Sequence, residues 1–338
     1  MIELLNDRLQ VTFPGAHPDA RLGVTLHRTL RIPDDGRDYP LPPSLGPFPL
    51  RHVDDFGERV PEAWRRHGGV LLPMYQAEAM WLSFEAPARY PIAVQVATGK
   101  VDALTGAPWR DALTLDPQNF LQVPGQPWLD GYVVEKGTIR QFVAMPLGSG
   151  YSAEEQITGR AELGGIQLRF VPLKREVWER EEELRRTRPA EGNAPYPAAY
   201  VAAPAPMMAD MGLAPGGRMT QEVYVSHRPL SDWDEARASR CFVHLANSLV
   251  WRAITGAEPP TTPVTAEEYA RRRMPWFDWY DASGEAVAAQ KALAGLKSVA
   301  ELGKAKGDVP LPENASVEVE RVVRYGDRRG EEVREGAF

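Results

Sequence analysis

Up to about residue 174 the apolar positions of this chain mostly recur every second residue, which predicts strands. In MWLSFE (80–85), Met80, Leu82 and Phe84 fall on one face and Trp81, Ser83 and Glu85 on the other. Ile92, Val94 and Val96 repeat the pattern, and Thr98-Gly99-Lys100 reads as a turn into Val101. Ile139, Gln141, Val143 and Met145 alternate with Arg140, Phe142 and Ala144, so the pattern leaves the buried side of that strand open. Gly164-Gly165, between AEL and IQLRFVP, predicts a two-residue hairpin, because both turn positions can need positive φ. One short helix interrupts these strands: Pro61 suits its first position, Arg65, Arg66 and His67 its last turn, and Gly68 its exit.

Beyond residue 174 the periods lengthen. KREVWEREEELRRTR places Glu181 four residues before Arg185 and Glu182 four before Arg186, the spacing of a solvated helix. The stretch RPAEGNAPYPAAYVAAPAP then reads as an extended linker. MTQEVYV predicts a strand. Ser231 with Asp234 predicts the start of a long helix ending near Gly256, with Phe242, Leu245 and Leu249 inward. Thr265 with Glu268 opens a shorter helix that Pro275 limits, and residues 284–303 predict a third. Val317, Val319 and Val323 suggest a last strand.

These elements add up to an α+β protein. A β-rich N-terminal domain (1–187) ends in the charged helix, and a Pro/Ala-rich linker (188–206) leads to a smaller, mainly helical C-terminal domain (207–325). A charged tail (326–338) is expected to be mobile.

Composition narrows the picture. The chain's 338 residues, 43% hydrophobic and 25% charged, suit a sizeable soluble core. A formal charge of −7 argues against general nucleic-acid binding. A single cysteine, Cys241, excludes an internal disulfide framework and a zinc site built from several thiolates. MIELLNDRLQ lacks the basic-then-apolar order of a signal peptide, and no apolar run is long enough for a membrane span, so a soluble cytoplasmic protein is expected.

Three stretches could carry chemistry. In FVAMPLGSGYSAEEQ, Ser152 and Glu155 form a capping box behind Gly148-Ser149-Gly150. Gly148, Ser149, Gly150 and Ser152 could therefore line an anion loop, yet no phosphate-binding motif is complete, and a glycine-rich corner explains them as well. In MPWFDWYD, Trp276, Phe277, Trp279 and Tyr280 interleave with Asp278 and Asp281, a composition that can grip a sugar, an organic cation or a protein partner, or anchor a loop internally. RHVDDF gathers His52, Asp54 and Asp55, but no second histidine stands at ligand spacing, so caps explain the acids and no metal is expected.

Other candidates are weaker. Gly148-Ser149-Gly150 is not a hydrolase elbow, and Cys241, three residues from His244 on one face of the long helix, reads as a small buried cysteine rather than half of a thiol–imidazole pair. Arg271, Arg272 and Arg273 complete a surface helix, and Met207, Met208 and Met211 read as an adaptable apolar loop at the domain seam.

QPWLDGYVVEKGTIRQFVAMPLGSGYSAEEQITG and MPWFDWYD resemble an uncharacterised conserved hypothetical family of high-GC bacteria over most of the chain. That resemblance implies no activity, cofactor or residue role. The residues themselves favour a soluble cytoplasmic binding or assembly protein with an aromatic-rich contact site at Trp276, Phe277, Asp278, Trp279 and Tyr280, no cofactor, and an unidentified protein partner, a small ligand or a second copy of the chain as the occupant. The alternative is a carboxylate-based enzyme acting on a small anionic or glycosidic substrate through Glu154, Glu155, Asp278 and Asp281.

Overall fold

The structure is a computed structural model and describes residues 1–186, 211–263, 265, 269, 271, 275–280, 284–309, 317, 319 and 322–326. The first strands are β1 (Ile2–Leu5), β2 (Arg8–Thr12), β3 (Arg21–Thr29), β4 (Asp38–Tyr39), β5 (Arg51–His52) and β6 (Val70–Pro73). There follow β7 (Ala79–Glu85), β8 (Ile92–Thr98), β9 (Val101–Asp102), β10 (Leu121–Val123), β11 (Trp128–Leu129) and β12 (Gly131–Glu135). The last are β13 (Thr138–Pro146), β14 (Ile166–Pro172), β15 (Met211–Thr220), β16 (Ser239–Ala246), β17 (Trp276–Tyr280) and β18 (Val322–Gly326). Short helices join them: α1 (Glu62–His67), α2 (Ala153–Thr158), α3 (Arg175–Arg186), α4 (Ser248–Thr255), α5 (Lys291–Ala294) and α6 (Val299–Lys306). The protein is α+β and mostly β.

Among the described residues, one sheet has nine strands, with the path β1-β2-β3-β7-β13-β15-β4, and a second has seven, with the path β10-β8-β14-β16-β6-β5. Both are antiparallel except at one pair each, β15–β4 and β16–β6. Their inner faces share one continuous apolar core, Leu22, Val24, Leu26 and Leu82 from the first sheet meeting Val94, Val96, Leu168 and Val243 from the second. Tyr132 ties the sheets together: its hydroxyl lies 2.7 Å from Thr98 Oγ1 and donates to the Leu213 carbonyl at 2.9 Å.

A fork in the first sheet prepares the functional site. β7 pairs with β13 only at Ala79 and Met80, and with β11 at Leu82 and Ser83. β13 pairs with β12 along Thr138–Gln141. The two strands thus splay, and β11 and β12 fill the wedge with Asp130 at its point, where the Asp130 carbonyl accepts from Phe142 N–H at 3.1 Å. Gly131 is required just there, since a Cβ would come within 1.8 Å of the Arg140 carbonyl oxygen.

Several predicted elements stand. β7 buries Met80, Leu82 and Phe84 and turns Trp81, Ser83 and Glu85 outward. β8 and the turn at Gly99, the Pro61–Gly68 helix, the charged α3 and the Ser152–Glu155 capping box all form. α3 joins Glu181 to Arg185 at 3.4 Å.

Others are corrected. The long helix from Ser231 to Gly256 is instead β16 followed by α4. In SRCFVHLA the alternation of Cys241, Val243 and Leu245 fits a central strand between β14 and β6, and this pairing outweighs the weaker helical spacing of Phe242, Leu245 and Leu249. Asn247 then caps α4 through Leu249 and Val250 N–H. Gly164 and Gly165 do have positive φ, but no strand precedes them; the backbone before them is tied to Glu154 rather than to a hairpin partner. The predicted 284–303 helix breaks into α5 and α6. The MTQEVYV strand begins earlier, at Met211, and ends at Thr220, while the last strand is Val322–Gly326.

The domain plan also changes in substance. The described residues of 207–325 are not mainly helical, because β15, β16 and β17 lie among them, and β15 and β16 sit inside the two sheets built with N-terminal strands. The 188–206 linker, Met207 and Met208, and residues 327–338 of the predicted tail lie outside the described residues. No described helix is long and apolar enough to cross a membrane.

Candidate functional site

The MPWFDWYD stretch is a strand, not a loop. β17 pairs in parallel with β18, and Phe277 exchanges backbone hydrogen bonds of 2.7 and 2.8 Å with Leu41. Strand alternation then splits its aromatic residues. Trp276, predicted as a contact residue, is 2% exposed and packs against Tyr39 and Tyr269, with ring centroids at 6.0 and 5.5 Å. Phe277 points the other way, into a crevice over the outer face of the first sheet. Asp278 is half-buried, and the side chains of Trp279 and Tyr280, with Asp281, lie outside what the structure describes.

The crevice is lined by Phe277 and Leu41 on one side and by Trp128, Thr220, Gln221 and Glu222 on the other. It holds about 220 Å³, its mouth included. Only about 10 Å³ of this is enclosed, about the room of one water, so the crevice can take in no more than the head of a small group.

Three glutamines fix the wall that carries Glu222. Residues 118–130 and 221–226 run side by side without a regular ladder between them, and side-chain amides take its place. Gln221 donates to the Trp128 carbonyl at 3.2 Å while its own oxygen accepts from Asp130 N–H at 3.1 Å. Gln126 donates to the Trp128 and Glu222 carbonyls at 3.1 and 3.2 Å and accepts from Tyr224 N–H at 3.1 Å. Gln118 donates to the Phe120 and Tyr224 carbonyls at 2.8 and 3.1 Å and accepts from Ser226 N–H at 2.7 Å. Each carboxamide offers a donor and an acceptor much as a peptide unit does, so buried backbone groups stay satisfied. The other edge of this strip is held by Val225 N–H to Glu285 and by Val287 N–H to Val223, both at 2.7 Å.

Behind the wall, at the fork, lies Asp130, 1% exposed. Neither of its carboxyl oxygens has a hydrogen-bond partner of ordinary geometry. Burial drives its pKa well above the carboxylate range, and the Trp128 indole beside it offsets this only in part. On the same face, His27 stacks on Trp81 at 3.9 Å, with its Nδ1 2.7 Å from Ser44 Oγ and its Nε2 2.7 Å from Ser83 Oγ. A neutral imidazole donates from one nitrogen and accepts at the other, which matches two hydroxyl partners. Burial, aided by Arg8, lowers its pKa to about 3. A histidine that neutral is a poor general base, so the Ser83–His27 contact reads as structural.

The Gly148–Gly150 corner is occupied from within. Glu155 accepts from Gly150 N–H at 2.7 Å and Ser152 N–H at 3.2 Å, and from the Ser152 hydroxyl at 2.6 Å. Lys306 donates to the Ser149 carbonyl and stands 4.0 Å over the Tyr151 ring. The predicted anion loop at Gly148, Ser149, Gly150 and Ser152 is therefore corrected to a corner: its inward N–H groups already hold a carboxylate, and α2 is only six residues long. Glu154 is likewise engaged, accepting from Gly164 N–H at 2.9 Å. Two of the four proposed catalytic carboxylates are thus structural anchors.

Cys241 and His244, expected on one face of a helix, fall on opposite faces of the strand β16, and Cys241 is buried as expected. Burial pushes the Cys241 thiol up to about 12, while His244 donates from Nε2 to the Gly68 carbonyl at 3.0 Å and stacks on Trp64 at 4.7 Å. His52 is exposed at the end of β5, and Asp54 and Asp55 enter the first turn of a 3-10 helix, Val53–Arg59. Among the described residues no group of three or more His, Cys, Asp or Glu could hold a metal. Arg271 is exposed, whereas Arg272 and Arg273 lie outside the described residues.

Of the expected contact residues whose side chains the structure describes (Trp276, Phe277 and Asp278), Phe277 lines the crevice. Trp128, Gln221, Glu222 and Leu41 were not singled out. The one sequence signal that could have flagged this wall is the four-residue spacing of Gln118, Gln122 and Gln126 in a stretch with no helical character. No protein-family model, curated protein or solved structure matches the chain.

Proposed function

We propose that this is a binding protein whose contact site is the crevice between Trp128 and Phe277. The observation that carries the reading is two aromatic residues from distant parts of the chain lining one small opening together with the half-buried Glu222. The rigid wall supports it: a site held by satisfied backbone groups loses little freedom when it binds, so more of the contact energy appears as affinity. This keeps Phe277 from the predicted aromatic contact set and moves the site's centre to residues brought from 128 and 220–222.

The test is a fragment screen on ¹⁵N-labelled protein. The indole cross-peak of Trp128 is assigned by its loss in Trp128→Phe, and small amines, alcohols, carboxylates and aromatics are added separately. Saturable shifts of that peak, abolished by Phe277→Ala, are the expected result. Fragments that shift only distant residues would move the site elsewhere.

A further inference from the structure

Resting on that reading of the crevice, we infer that its occupant presents a small alkylammonium group. Glu222 lines the opening, and no cation among the described residues pairs with it. The guanidinium on the same chain segment, Arg218, is already divided between Asp38 at 2.7 Å and Glu135 at 2.9 Å. Trp128 and Phe277 add two aromatic rings to the lining, and an aromatic π-system attracts cations at its face.

The alternatives fail on the same groups. An anion would meet Glu222 and two aromatic residues, with no cationic side chain among the described residues that line the opening. A neutral ligand would leave the unpaired carboxylate without a partner. A guanidinium is planar and favours bidentate pairing, whereas the narrow opening suits the compact, three-donor head of a primary amine. That chemistry is shared by a free amine and by the lysine side chain of a partner protein.

The probes are n-butylammonium, its uncharged counterpart n-butanol, and N-acetyl-lysine methylamide, each titrated against the Trp128 indole cross-peak at low ionic strength. Ligands this small should bind with dissociation constants of about millimolar order. The amine is expected to bind about tenfold more tightly than the alcohol, with Glu222→Gln removing that preference and added salt weakening it. Equal binding of amine and alcohol, both lost in Phe277→Ala, would overturn the charge assignment and leave the crevice reading standing. Silence from all three probes would overturn the charge assignment, and the fragment screen then decides the crevice reading separately. If the lysine amide binds at least as well as butylammonium, the source is a partner's side chain. If butylammonium alone binds, the ligand is a free amine. Both of these results uphold the inference.

Discussion

The corner at Gly148–Ser152 and the crevice between Trp128 and Phe277 are made of similar materials: backbone turns, an aromatic ring and glutamate. They differ in what is left over. At the corner Glu155 takes the free N–H groups and Lys306 covers the Ser149 carbonyl and the Tyr151 ring, so the polar groups are spent on one another. At the crevice the glutamines are spent on the backbone, but Glu222 stays unpaired and Asp130 stays unsatisfied. A motif-like sequence can thus be fully neutralised by its own fold, while a stretch without a motif can present free chemistry.

The strongest way to break this comparison is Gln221→Leu. It orphans the buried Asp130 N–H and takes one of two donors from the Trp128 carbonyl, which keeps Gln126, and should cost about 1–3 kcal/mol in urea unfolding. A loss below ~0.5 kcal/mol would mean that the glutamine staples do not hold the wall.

The next prediction uses pH. The folded pKa of Asp130 lies above its unfolded value, so its contribution to stability is fully present below about pH 3.9 and is lost as pH rises toward the folded pKa. That of His27 is lowered to about 3, so its contribution is fully present above about pH 6.5 and is lost as pH falls toward 3. Between about pH 4 and 6.5 the two slopes oppose, each at most about 1.4 kcal/mol per pH unit. Asp130→Asn should therefore leave a protein whose stability climbs with pH across that window, and His27→Gln one whose stability falls. Chemical denaturation at half-unit pH steps checks both; identical slopes in the two variants would remove Asp130 or His27 from this account.

At the corner, Ser152→Ala should cost about 1 kcal/mol through the lost cap and leave the Trp128 indole titrations unchanged. A change in those titrations would make the corner part of the site. The smallest stability effect is expected for Glu222→Gln, within about 0.5 kcal/mol, because no cation among the described residues pairs with its carboxylate. A larger loss on unfolding would reveal a structural role for that carboxylate.

Local pattern determined much of the scaffold. The two-residue period placed β7 and β8, Pro61 and Gly68 bounded α1, and Ser152 with Glu155 fixed the start of α2, because each rests on contacts within a few residues. Where neighbours in space competed with neighbours in sequence, the pattern misled: residues 239–246 join a strand because β14 and β6 flank them, and α5 and α6 are short because nothing sustains the helix between them. Likewise the aromatic content of residues 276–280 was legible, but not that Trp276 would be buried and Phe277 turned to the crevice. That depended on Leu41 pairing with Phe277 and on β7 and β13 splaying around Asp130. The sequence by itself determined which residues could be strands, caps and corners. Only the tertiary structure decided which charges were neutralised and which remained free, because much of that balance is set by groups far apart in the chain, as Lys306 is from Ser149 and Gln221 from Trp128.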